Sequence, residues 1–159
     1  MLERVELTLR DLGRVRGLLQ RHAARLTRLP QEGTEGKPFD FKRDTDGYAT
    51  LLFFGYTYCP DVCPVHGANI AAVLHNLPPT VSQRVKMVFV TTDPERDTPE
   101  VLRRFLDKFD QGFIGLTGTP DEILAAQAAA RIPAASKEVL DSTKPGEYLI
   151  GHAAFVFAY

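Results

Sequence analysis

Two apolar runs, "YATLLFFGYT" (Tyr48 to Thr57) and "VKMVFVTT" (Val85 to Thr92), are separated by a single helix-length segment, and this order constrains the fold more than any other feature. Each run is short, rich in aromatic and β-branched residues, and bounded by polar turns, as strands covered on both faces are. Between them, "VHGANIAAVLHNL" sets Ile70, Val73, Leu74 and Leu77 at helical spacing and is stopped by Pro78 and Pro79. Strand, helix, strand at this length is a βαβ unit, whose right-handed crossover makes the strands parallel. In "DPERDTPEVLRRFLDKF", Thr98 can cap a helix, Pro99 suits its first turn, and Val101, Leu102, Phe105 and Phe109 form one face. "GFIGLTGTPDEILAAQAAARI" predicts a short strand and a helix, with Thr119 and Glu122 in capping-box spacing around Pro120, and "HAAFVFAY" predicts a last strand. The pattern is that of an α/β domain with a mixed central sheet flanked by helices.

A length of 159 residues suits one such domain, and 44% hydrophobic with 25% charged residues is an ordinary globular balance. A net charge of -1 gives no general attraction to nucleic acid. No apolar run reaches the roughly 20 residues needed to span a bilayer, and the N-terminus lacks the apolar core of a secretory signal. Residues 1–30 stand apart, with seven arginines, no lysine and three acidic residues. Leu12, Val15, Leu18, Leu19 and Leu26 could line the apolar side of a basic helix, to pack on the core or touch an anionic surface; a solvated extension is the plainer reading. Residues 31–47 read as a loop or linker.

The chain's two cysteines both stand in "GYTYCPDVCPVHG", three residues apart. A bridge between them would close too small a loop to stabilise the fold much, so redox or metal chemistry is favoured over a structural disulfide. At the mouth of a helix a thiol meets the positive end of the helix dipole, so both cysteines are expected to be more reactive than buried structural thiols, and at least one to be accessible and more acidic than a free cysteine. On a helix, positions i and i+4 hold Cβ atoms about 5 to 6 Å apart. A disulfide requires roughly 3.5 to 4.5 Å, and a bridging metal tolerates the wider gap.

Two thiolates leave a metal open on its other sides, and the chain has four histidines. His22 lies in the basic extension, His75 late on the first helix, and His66 on the helix body, where it is expected to project away from the helix mouth. His152 follows a glycine before the last strand, where a loop can swing it toward the first helix. On these grounds it is either a third donor or a surface or capping histidine.

The motifs "FFGYTYCPDVCP", "VTTDPERDTPEVLRRFLDKF", "GLTGTPDEI" and "GHAAFVF" together resemble the Sco/SenC family, copper-binding thioredoxin-fold proteins that assist assembly of the copper centre of cytochrome c oxidase. The resemblance runs from Tyr48 to Tyr159. It implies a thioredoxin-like fold for residues 48–159, one copper ion as Cu(I) or Cu(II), and Cys59, Cys63 and His152 as its ligands. Asp93 and Asp97 fall on the loop that the family sets beside copper, where outer-sphere or partner-facing roles compete with plain turn formation. Asp61, with Pro60 and Pro64, would shape the ligand turn.

The partner implied is a cytochrome c oxidase subunit carrying the copper centre, or another copper chaperone. The place implied is extracytoplasmic, at a membrane reached through an anchor that these residues do not contain. Two departures stand out. The hairpin that commonly precedes the first core strand is not recognisable in "EGKPFDFKRDTDG", and the chain stops at Tyr159, before the further strand and helix that the resemblance implies. A non-enzymatic copper carrier is the expected function. Alternatives are a thiol-disulfide oxidoreductase, against which the C-x-x-x-C spacing counts, and an interaction module without a working site.

Overall fold

The structure, a computed structural model, describes residues 32–144 and 146–159; the basic segment expected over 1–30, with His22, lies outside the described residues. Strands β2 (Ala49–Gly55) and β3 (Val85–Thr91) pair in parallel from Ala49 opposite Val85 to Gly55 opposite Thr91. Successive residues of each strand feed opposite cores. Phe53, Met87 and Phe89 enter one, and Leu52, Phe54, Val88 and Val90 the other. That is why both runs are apolar without alternation.

Strand β4 (Ile114–Thr117) adds in parallel to β3, and β1 (Glu32–Gly33) adds antiparallel to β4. On the far side β7 (Val156–Ala158) runs antiparallel to β2, giving the order β1-β4-β3-β2-β7. The sheet is mixed, as expected, although the last strand is shorter than "HAAFVFAY" predicts. The first core holds residues of α2 (Val62–Asn76) and α4 (Pro99–Leu106), and the second those of α1 (Phe41–Asp44) and α5 (Pro120–Ala129); one turn, α3 (Pro79–Ser82), leads into β3. Thr98 and Thr119 cap α4 and α5 as predicted, Thr119 in a full capping box with Glu122.

Two parts of the architecture differ from the expectation. Residues 32–47, read as loop or linker, contain β1 and α1, and Phe41 of α1 is only 1% exposed. Isolated apolar residues in a polar stretch carry no period, so their burial is not visible before tertiary packing. A separate hairpin, β5 (Ser136–Val139) with β6 (Tyr148–Gly151), stands between α5 and β7. Its exposed β5 has no apolar face to announce it. The parallel strands end together at Gly55, Thr91 and Thr117, and the cysteine turn, the Asp93–Thr98 loop and the Thr119 cap all leave from that edge, where open α/β sheets place their ligand sites.

Candidate metal centre

The turn after β2 carries the first thiol. Helix α2 begins earlier than the apolar spacing suggests and takes in Cys63 and Pro64. Proline is tolerated there because first-turn N–H groups have no intrahelical acceptor. Asp61 is the N-cap residue, but its exposed side chain makes no capping bond. The backbone N–H of Cys63 points instead to Cys59 Sγ at 3.5 Å. Gly55 makes room for the second thiol, since a Cβ at that position would stand 2.7 Å from Cys63 Sγ.

The hairpin strand β6 delivers the imidazole. His152 follows Gly151, and its Nδ1–H donates to the carbonyl of Ala153 at 3.2 Å. That bond fixes the tautomer and leaves the Nε2 lone pair toward Cys63 Sγ, 3.5 Å away. Burial lowers the His152 pKa, opposed by the Ala153 and Phe54 carbonyls and assisted by His66, so the ring is held neutral. One potential donor atom from each of Cys59, Cys63 and His152 lies within 4.8 Å of the other two, the one such group of three among the described residues.

The Cys63 thiol departs from the expected acidity. Both cysteines are free and buried, Cys63 at 1% and Cys59 at 9% exposed. Burial pushes the Cys63 thiol far up, a contact with the Tyr56 backbone offsets only part of this, and Cys59 and Asp97 push it further. The helix dipole is outweighed because the sulfur sits in an apolar core beside Phe53 and Phe89.

The acidic residues are placed differently from one another. Asp97 is fully buried and Asp93 3% exposed. Asp97 accepts from the Thr57 N–H at 3.0 Å, the Thr57 hydroxyl at 2.6 Å and the Thr91 hydroxyl at 2.7 Å, tying the cysteine turn to the end of β3. Burial raises its pKa against these three donors. Asp93 accepts from the Tyr148 hydroxyl at 2.9 Å and from Arg96 Nε at 2.5 Å. Burial and that bond push the Tyr148 phenol up to about 12.

His75 lies on the surface, 2.8 Å from Asp110. His66 does not project away. Its ring packs edge-on to Phe53 at 5.1 Å, and His152 stands edge-on to the same ring at 6.0 Å. Tyr56, Tyr148 and Arg96 were not singled out by the sequence; the tyrosines flanking the cysteine motif were the available signal for the first.

A sequence model of the SCO1/SenC family matches residues 32–159. The chain is 34% identical over 131 residues to the mitochondrial SCO1 homolog 1 of Arabidopsis thaliana, covering 77% of this chain and 38% of that protein. It is 45% identical over 89 residues to SenC of Rhodobacter capsulatus, covering 56% of this chain and 40% of that protein. The chain thus spans about two fifths of the length of these relatives. The structure of Bradyrhizobium japonicum ScoI with copper bound superposes with a TM-score of 0.72 at 35% identity, over 82% of this chain and 79% of that one. The fold is thioredoxin-like.

Proposed function

The chain belongs to the SCO1/SenC family, and on that premise we propose that it carries one copper ion on Cys59, Cys63 and His152 and passes it to the copper centre of cytochrome c oxidase. The observation that carries this reading is the convergence of two sulfurs and one imidazole nitrogen within 4.8 Å. Two thiolates suit Cu(I), and the added imidazole suits Cu(II), so one donor set can serve both states. The Nδ1–H bond to Ala153 orients the ring as outer hydrogen bonds do at metal sites. Residues 32–47 join residues 48–159 in the copper-binding domain.

Release to an acceptor proceeds by ligand exchange, as incoming donors replace these three in turn. Tyr58 and Phe155, 58% and 65% exposed and close in sequence to Cys59 and His152, offer an apolar rim for that acceptor. Among the described residues no helix is long and apolar enough to cross a membrane; the extracytoplasmic, membrane-associated setting rests on the family resemblance. The oxidoreductase alternative has less support, because Cys63 is a buried thiol held protonated rather than an exposed thiolate.

The test is titration of the reduced protein with Cu(I) against a competing chelator. One ion per chain is expected, with retention lost in Cys59→Ser and in Cys63→Ser. A wild type that yields copper at once to a weak chelator, yet reduces a model disulfide, would replace the carrier by the oxidoreductase.

A further inference from the structure

Arg96 stands on the loop between β3 and α4 and reaches both halves of the proposed copper site. Its Nε pairs with Asp93 at 2.5 Å, and one terminal nitrogen donates to the Tyr148 carbonyl at 3.1 Å. The guanidinium carbon lies 3.6 Å from the Tyr148 ring centre, 4.8 Å from that of Tyr58 and 5.9 Å from that of Tyr56. Tyr148 opens β6, the strand that ends at Gly151 just before His152, while Tyr58 immediately precedes Cys59. Tyr56 closes the circuit with its ring edge-on to the His152 imidazole at 5.6 Å.

This arrangement is costly. The other terminal nitrogen of Arg96 is buried without a hydrogen-bond partner among the described residues, and Asp93 is buried. Replacing a buried ion pair by apolar residues is often neutral or stabilising, and here the carboxylate is buried while the Arg96 side chain keeps 20% exposure, so stability alone does not explain a pair with one nitrogen unsatisfied. Geometry does. A planar guanidinium can donate sideways to a carboxylate and a carbonyl while its face lies on an aromatic ring, and no other side chain combines these contacts.

We propose that Arg96 is a positioning residue for copper: by clamping β6 to the cysteine turn through Asp93 and the tyrosines, it sets where His152 stands relative to the two thiols, and so how well the site holds Cu(II). The inference rests on the copper-carrier reading. Two thiolates suffice for Cu(I), so a displaced imidazole is felt mainly by Cu(II).

The experiment is a double-mutant cycle on the full chain, using Arg96→Gln and His152→Ala singly and together. Copper affinity is read by chelator competition, and the Cu(II) environment by electron paramagnetic resonance. Arg96→Gln is expected to weaken Cu(II) by about 10- to 100-fold, as loss of an outer partner does. Cu(I) affinity should stay constant, the Cu(II) spectrum should change, and the substitution should add nothing once His152 is absent. Arg96→Lys, which keeps the charge over the Tyr148 ring, should recover part of the loss. Should Arg96→Gln not fold, Tyr148→Phe removes only the hydroxyl bond to Asp93 and should give a smaller loss of the same Cu(II)-selective kind.

Equal losses for both copper states, or losses that multiply with those of His152→Ala, would make Arg96 a general stabiliser and overturn the proposal. A wild type that binds copper beside an Arg96→Gln chain with unchanged affinity and spectrum sinks this inference and leaves the carrier standing. A wild type that binds no copper removes both.

Discussion

Helices α2 and α5 both start at the C-terminal edge of the parallel strands, yet they begin in opposite ways. At α5 the Thr119 hydroxyl accepts the Glu122 N–H at 3.3 Å, and the Glu122 carboxylate accepts the Thr119 N–H at 2.8 Å, so two donors are satisfied reciprocally. At α2 the N-cap Asp61 makes no such bond, and the Cys63 N–H faces the sulfur of Cys59. Sulfur is a weak acceptor, so α2 starts on a poorer cap than its sequence could have provided. The stability missing there is supplied from outside the helix, by Asp97 gripping Thr57 in the turn. One helix start is built for stability, and the other for presenting thiols.

The largest effect that would break this comparison is at the donor on the far side of the site. His152→Ala should weaken Cu(II) by about 100-fold or more, since losing a ligand costs at least what losing an outer partner does, and should weaken Cu(I) far less. Parallel chelator competitions under oxidising and reducing conditions measure it. Unchanged Cu(II) affinity would leave α2 presenting thiols to something other than a copper site of three donors.

Next in size is the support for the uncapped turn. Asp97→Ala leaves the Thr57 N–H and two threonine hydroxyls without their acceptor, and a buried orphan donor costs about 1–3 kcal/mol. A lower urea midpoint together with weaker copper binding is expected. Asp97→Asn should be milder, because it keeps an acceptor and removes a carboxylate whose ionised form burial disfavours. If Asp97→Ala left copper affinity untouched, the turn would be held by something else.

How far this division could be read in advance depends on what each feature needs. The caps at Thr98 and Thr119 and the strands β2 and β3 were legible because they rest on neighbours in sequence. Cys59 and Cys63 stand out because the chain has no other sulfhydryl, and His152 by its place after Gly151 before a strand, but it takes the family resemblance to favour His152 as a donor over a surface or capping histidine. Asp97 was legible as a loop residue but not as a buried strut. Its partners Thr57 and Thr91 come together only once β2 and β3 pair. Arg96 was hidden for the same reason, since its contacts lie on β6 and the cysteine turn. The acidity of Cys63 was misjudged because the helix dipole is local and visible in sequence, whereas the desolvating core assembles from distant residues.

The buried thiol also makes the copper equilibrium depend on pH. In the proposed site Cys63 would lose its proton to bind copper, and its raised pKa keeps that proton in place through neutral pH. Cu(I) affinity should therefore rise with pH, by about tenfold per unit for each proton released. For the apo fold the same shift has the opposite sign. The unfolded thiol ionises first, so apo stability should decline as pH rises above about 8.5. Affinity independent of pH between neutral and mildly alkaline solution would mean that the thiol is already ionised, and that α2 does act on Cys63 through its dipole.

The smallest expected effect is the sharpest separation of the two helix starts. Thr119→Ala removes the side-chain acceptor of the capping box and should cost about 1 kcal/mol, within the usual 0.5–2 kcal/mol for such caps, with copper affinity unchanged. Cys59→Ser is its mirror. A hydroxyl is a better acceptor than a thiol for the Cys63 N–H, so stability should hold or rise slightly while copper retention is lost. Urea midpoints and copper competition on the same two proteins give four numbers, of which two should move. If Thr119→Ala weakened copper, or Cys59→Ser unfolded the chain, stability and thiol presentation would not be divided between α5 and α2. The weak cap of α2 would then be an ordinary helix start rather than the form that a copper-holding turn imposes.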